Sequence, residues 1–470
     1  MRIASRSLKW LIGVPVGLAL IVAGHHFAEL FRVTTGSVSR SLCAAVFISG
    51  IDPEQVYEEE QLPEDGMHRI AWALHYEVDL PRREVRATVL RAFGARAVFR
   101  KGLGCLLVRG DEPVPDADGV PTEIPSAPPG ANALAEPGIV SPASPALIQA
   151  LDEAFAEPNP ARPRRTKALV VVHDGQLIAE RYAPGYSPET PVWGHSLTKS
   201  VISALIGILA RDEKLPSQLS NPAPLAAWQA ANDPHHAISV AQLLRMTSGL
   251  PFDETEPINP AIRMWFLEPD MAGFAARTPI TNPPGAKWGY SNLGYLILSR
   301  LVRDAEGGNA KDADAFIRRE LFSPLGMRSA QMTYDVTGTP VGASHMWASA
   351  RDWARFGQLY LDDGVAGGRR ILPEGWARYS ASQTLDTGYG AGFWTNLVNE
   401  GSVPIWDAPW GMPELPKDMF YARGYLGQFI VIVPSERLVV ARFGLTHGGS
   451  GIGAVIAHII TALHASKGEP

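Results

Sequence analysis

The stretch Thr166 to Tyr182, TKALVVVHDGQLIAERY, reads as two apolar strands joined at Asp174-Gly175. An Asp-Gly pair supplies the positive φ angles that a tight hairpin needs. A second pair of apolar runs lies near the other end of the chain. Gly427 to Gly444, GQFIVIVPSERLVVARFG, places them around a Pro434-Ser435 turn. Between the two hairpins, from about 200 to 375, the pattern is helical and rich in loops. Helical spacing flanks them, in ALIQALDEAFAE from Ala146 and in GAVIAHIITALHAS from Gly453. Strands at both ends with helices between them predict an α+β domain. Its antiparallel sheet is formed by both ends of the domain, with a helical insertion beside it, and not by the βαβ alternation of a parallel sheet.

Working outward toward the N-terminus, residues 111–145 are dense in proline and lack periodicity, which reads as a surface connector. Residues 36–110 form a small mixed element, in which EVRATVLRAFGARAVFRKGLGCLLV alternates apolar and polar positions and is broken at Gly94, Gly102 and Gly104. Residues 1–35 hold a targeting segment. Arg2, Arg6 and Lys9 precede the apolar run Trp10 to Gly24. It reads as an uncleaved anchor, with cleavage near Gly24 as the alternative. The body, 146–470, is therefore expected in the periplasm on the inner membrane, or soluble in the periplasm or medium after cleavage.

Composition narrows the function. The 470 residues are 46% hydrophobic and carry a net charge of −6, with no basic tract beyond the first ten. A nucleic-acid partner, which would need a concentrated Lys/Arg face, is not expected. The 12 histidines contain no His-Glu-x-x-His pattern, so neither metal nor cofactor is predicted. Two cysteines, Cys43 and Cys105, point to a disulfide if the body is exported. On the chain-entropy account the cross-link would stabilise the fold by about 4 kcal/mol. Two separate buried thiols are the other reading.

The chemistry-bearing stretch follows the first hairpin. WGHSLTKSVISALIGIL, Trp193 to Leu209, sets Ser196 and Lys199 three residues apart at the head of an apolar helix. Positions i and i+3 share a helix face. The first turn also offers unpaired N–H groups to developing negative charge. A capped helix with a solvated lysine is the plain alternative. NPPGAKWGYSNLGYLILSRLV adds Tyr290-Ser291-Asn292 immediately before an amphipathic helix, and ISVAQLLRMTSGL lies between the two. Gly194-x-Ser196-x-Thr198 lacks the last glycine of a nucleophile elbow, which argues against an α/β-hydrolase. THGGSGIG, Thr446 to Gly453, reads as a turn, with His447 a candidate for the pocket edge.

In order along residues 150–466, HSLTKSV, LLRMTSGL, PPGAKWGYSN, SPLGM, SARDWARFGQLYLDDG and ARGYLGQFIVIVP resemble the penicillin-recognising serine hydrolases. The likeness is to the class C β-lactamases, family VIII esterases and 6-aminohexanoate-dimer hydrolases. It implies a β-lactamase/transpeptidase-like fold and acylation of Ser196. Lys199 would be its activating partner, Tyr290 the general acid/base, and Asn292 a polar group toward Lys199 or the substrate. The third motif of the family is altered to Ala422-Arg423-Gly424. Tyr425 would then give the second oxyanion-hole N–H beside that of Ser196, and Arg423 would either replace the missing lysine charge or lie on the surface.

A serine hydroxyl needs a base near neutral pH. A free lysine titrates near 10.4, so holding it neutral at pH 7 takes about 4–5 kcal/mol. Lys199 and Tyr290 are expected to share a proton. Trp193, Trp288, Trp394, Trp406 and Trp410 are candidates for the acyl or leaving-group pocket. The expected activity is cleavage of a small, largely uncharged ester or amide. A cell-wall D,D-peptidase or β-lactamase is the alternative within the same chemistry, and a binding or sensor module that acylates once is the alternative outside it. The sequence does not set the oligomeric state.

Overall fold

The computed structural model describes residues 27–110, 112–117, 119–124, 134, 138–252, 258–397 and 412–466. The body is built on a six-stranded antiparallel sheet. Its order is β10 (Trp394–Thr395), β11 (Phe420–Gly424), β12 (Gln428–Val433), β13 (Leu438–Gly444), β5 (Thr166–His173) and β6 (Gln176–Tyr182). The two hairpins meet at its centre, where Val440 lies opposite Val171 on one side and Val431 on the other. The Asp174-Gly175 turn takes φ of +50° and +75°, as that pair of residues requires.

Every residue of β12 and β13 is buried, because both faces of the sheet are covered. Strands in that position need apolar side chains on both sides and lose the polar alternation of a half-exposed sheet. On one face lies α6 (Ala350–Leu361), whose Gly357 lets the helix approach closely; a Cβ there would stand 2.6 Å from Val439 and 2.7 Å from Ile430. On the other lies α2 (Pro145–Phe155), with the C-terminal helix α7 (Ile452–Ser466) packed against it.

The helical insertion centres on α3 (Thr198–Arg211), buried from Thr198 through Leu209, and on α5 (Asn292–Ala305) beside it, against which α4 (Met271–Arg277) packs. A helix apolar all round is a core helix, and α3 is the axis around which this half of the body packs. The short strand β7 (Pro191–Trp193) leads into α3 and pairs with β9 (Met346–Ser349), itself paired with β8 (Gln331–Met332).

The N-terminal part has a core of its own. Helix α1 (27–44) packs on the meander β1 (Leu74–Asp79), β2 (Glu84–Val89), β3 (Phe93–Arg100) and β4 (Gly104–Val108) through Val38, Leu42, Val85, Ala87 and Ala97. The boundary expected at residue 35 falls inside α1. Cys43 and Cys105 are bonded, joining the end of α1 to β4 across 62 residues. This fits an oxidising, extracytoplasmic compartment. The expected anchor, its cleavage position, Trp406 and Trp410 lie outside the described residues. Among the described residues no helix is long and apolar enough to cross a membrane.

Candidate active site

Ser196 sits in a single 3-10 turn, His195–Leu197, that runs directly into α3. Its neighbours His195, Leu197, Thr198 and Lys199 are buried and Ser196 alone of this group is half-buried, so the chain opens to its surroundings at the hydroxyl. Two local features hold the turn. Gly194 has no room for a side chain, since a Cβ would come within 2.4 Å of the Trp353 ring. The Thr198 hydroxyl donates to the carbonyl of His195 at 2.7 Å, and His195 takes the unusual φ of +47°.

Lys199 is 1% exposed. Its Nζ lies 3.0 Å from Ser196 Oγ, 2.7 Å from Asn292 Oδ1 and 2.6 Å from the carbonyl oxygen of Ala343. Asn292 opens α5, capped by Ser291. The loop carrying Met246 braces this corner. The Met246 carbonyl accepts from Gly289 N–H at 2.9 Å and its sulfur receives Ser291 N–H at 3.1 Å. The stretch Arg245 to Gly249, RMTSG, thus serves as a support under Tyr290-Ser291-Asn292.

Tyr290 is buried beside Lys199, with Nζ 4.8 Å from its ring centroid. Trp394 stacks on the same ring at 5.8 Å and 16°, and Tyr389 meets it edge-on at 6.1 Å. The segment bearing Trp394 is tied to the nucleophile helix, because Ser200 and Ser203 donate to the carbonyls of Gly392 and Ala391. Trp288 joins this aromatic wall next to Tyr389 and Trp394.

The third-motif strand β11 approaches from the other side. A Cβ on Gly424 would lie 2.4 Å from the carbonyl of Gly194, so the strand end abuts the Ser196 turn. Gln428 holds the following turn by donating to the carbonyls of Tyr425 and Gly444. The guanidinium of Arg423 lies over the Phe429 ring, 6.0 Å from its centroid. The Tyr425 ring is exposed, edge-on to His195 at 5.8 Å, and its hydroxyl donates to Glu64 at 2.8 and 3.0 Å. Burial raises the Glu64 carboxyl. The N-terminal part therefore reaches the strand-side edge of the site.

The structure brings Ser196, Lys199, Tyr290 and Asn292 into one cluster and sets Gly424 and Tyr425 beside it. Trp193 faces away, stacked between His195 and Trp347 with its indole N–H on the Ser344 carbonyl. His447 is also elsewhere, near the carbonyl of Glu59. Sequence reasoning missed the Ala343 carbonyl, for a backbone acceptor has no residue signature. The one hint is Gly342 next to it, whose Cβ would strike Ser299 and Ile202. It also passed over His195. Burial, helped by the Lys199 and Arg40 charges, lowers that imidazole to about 3. A group so reluctant to take a proton is a poor base at neutral pH. The same burial holds His345 well below its ordinary value.

The profile of the Beta-lactamase family matches residues 148–456. The chain is similar to the 6-aminohexanoate-dimer hydrolase of Paenarthrobacter ureafaciens, 26% identical over 248 residues, which is 48% of this chain and 61% of that protein. It thus spans about three-fifths of that relative's length. Among solved structures, a Bacillus anthracis protein provisionally named a 6-aminohexanoate-dimer hydrolase superposes with a TM-score of 0.56 at 21% identity, covering 74% of this chain and 91% of that one. A penicillin-binding protein homologue from Caulobacter crescentus gives 0.53 at 17% identity, over 70% and 98%. With two-thirds of its length matched by the family profile, and with hydrolase-named relatives, the chain belongs to the Beta-lactamase family of serine hydrolases.

Proposed function

We propose that this chain cleaves a small, largely uncharged ester or amide through an acyl-enzyme on Ser196. The observation that carries the reading is the hydrogen-bond set of Lys199. An ammonium only donates, whereas a neutral amine has two N–H groups and one lone pair. Asn292 Oδ1 and the Ala343 carbonyl are both acceptors and take up the two N–H groups of the neutral form. Nζ donates to Ser196 Oγ at 3.0 Å as an ammonium, and once the amine is neutral the same contact turns its lone pair toward the hydroxyl proton. Such an amine accepts the hydroxyl proton as Oγ attacks the substrate carbonyl carbon. The tetrahedral oxygen would be received by the N–H groups of Ser196 and Tyr425. The leaving alcohol or amine departs with a proton returned through Lys199 and Tyr290, and a water deprotonated by the same pair hydrolyses the acyl-serine.

The family lysine of the third motif is Ala422 here, and Arg423 is engaged with Phe429. This favours substrates without a carboxylate over penicillins or cell-wall peptides. The linear amide of 6-aminohexanoate, named by the relatives, is one substrate to try. In the same reading, residues 1–35 hold the protein at the inner membrane and residues 36–110 flank the site. Residues 111–145 connect them to a periplasmic hydrolase domain, 146–470.

The test is intact mass after treatment with a fluorophosphonate, with Ser196→Ala in parallel. One adduct on the parent and none on the variant is expected, followed by turnover of p-nitrophenyl esters beyond one equivalent. No adduct on folded parent protein would remove the hydrolase assignment of Ser196. One adduct without turnover would favour a sensor that acylates once.

A further inference from the structure

We infer that one end of the N-terminal subdomain rests on a lipid bilayer, through a patch made of Phe27, Trp72 and Leu90 rimmed by Arg32, Arg69 and Arg91. Large apolar side chains are normally scattered singly over a soluble surface, but these three belong to segments that meet at one end of the subdomain. Trp72 is 77% exposed, Phe27 59% and Leu90 51%. Their adjacency follows from the pairing of the strands. Leu90 N–H bonds to the carbonyl of Ala73, next to Trp72, at 3.0 Å. Phe93 lies opposite Val89. Phe31 packs on Phe93 at 5.2 Å and on Phe27 at 6.4 Å. The indole N–H of Trp72 is already satisfied by the carbonyl of Arg69, which leaves the hydrocarbon of the ring facing outward.

Three arginines belong to the same segments. Arg32, Arg69 and Arg91 are exposed, and none has an ion-pair partner among the described residues. The nearby carboxylate, Glu29, is held by Arg263 at 2.9 Å through both of its oxygens. An aromatic ring beside unpaired arginines matches the interfacial zone of a bilayer, where tryptophan sits at headgroup level and guanidinium groups meet anionic lipid.

The chain itself says what covers the patch. The apolar run Trp10 to Gly24 stops three residues before Phe27, so it ends within about 10 Å of it. On the proposed reading that this run sits in a bilayer, that bilayer lies within reach of Phe27 and faces Trp72 and Leu90. The opposite end of the subdomain is a built-in control. Leu80, in the turn after β1, is also 63% exposed, but it stands about 20 Å along the strand from Leu74, where β1 leaves the Trp72 turn.

The experiment uses the full chain reconstituted in phosphatidylethanolamine/phosphatidylglycerol vesicles, with a nitroxide attached at Trp72→Cys or at Leu80→Cys. The two native cysteines are bonded to each other, so only the new thiol takes the label. Dissolved oxygen is expected to relax the label at 72 more than a water-soluble nickel complex does, and the order is expected to reverse at 80. An aqueous response at 72 in vesicles would overturn the proposal. So would a label at 72 already shielded from both colliders in detergent and unchanged in vesicles, since residues 1–26 or a second copy would then be covering the patch.

Discussion

The two sides of the site are built differently. On the helix side, Ser196, Lys199, Asn292 and the Ala343 carbonyl are joined by short bonds, all but Ser196 buried, and every element involved belongs to the body. On the strand side, the turn at Tyr425 is exposed and its side chain is held from outside by Glu64, a residue of the N-terminal subdomain. The first arrangement is closed on itself, and the second depends on a partner more than 300 residues away in the chain, 361 for the Glu64–Tyr425 pair. On the proposed mechanism, the contrast means that proton transfer and oxyanion binding can be perturbed separately.

The strongest attempt to break this view is Lys199→Met. If the amine is the base, kcat should fall by about 10²–10⁴-fold, with no rescue from His195. Tyr425 variants should not approach that loss, and a Lys199→Met protein with near-parental kcat would end the comparison. Next in size is the disulfide. The Cys43→Ser/Cys105→Ser double variant should lose about 4 kcal/mol in urea unfolding. Fluorophosphonate labelling of Ser196 should persist wherever the body stays folded, because the helix side needs nothing from α1.

Glu60, which joins α1 to the segment before Glu64 through Ser41, gives a pH test. Burial raises its carboxyl from 4.5 to about 7. Between those values the unfolded chain has released a proton that the folded chain keeps. Stability therefore falls as pH rises through that window and levels off above it. Glu60→Gln should flatten the slope and add about 2–3 kcal/mol at pH 8, read as Tm against pH. The smallest effect sharpens the comparison most. Glu64→Gln and Tyr425→Phe should each lower kcat by about 5–10-fold, a change of about 1 kcal/mol. The double variant should lose no more than either single one. Additive losses would mean that the contact does not position the turn.

Much of this molecule was legible because local chemistry and global fold agree. The Asp174-Gly175 turn allows one hairpin, and a continuous apolar run such as that after Ser196 must be buried. Spacing set Ser196 and Lys199 at the head of one helix and Tyr290 and Asn292 at the start of another, while the roles expected of them came from the family resemblance. What could not be read depends on tertiary approach. The Ala343 carbonyl is chosen by where the 341–345 turn lies, not by the identity of its residue. Glu64 sits in a stretch without periodicity, and nothing local links it to Tyr425. The tryptophans carried equal weight in the sequence, yet Trp394 packs on Tyr290 while Trp193 turns toward the other core.

The bond between Cys43 and Cys105 also fixes how a mechanical load would travel. A pull applied ahead of Phe27 passes down α1 to Cys43, crosses the sulfur bridge and continues from Cys105. The 61 residues between the two cysteines, which follow from their separation of 62, lie outside the line of tension. Glu64 is among them. Tugging on the N-terminus therefore leaves the contact at the edge of the site unloaded for as long as the bridge stays oxidised. Reduction would route the same force through the whole meander, and through that contact with it.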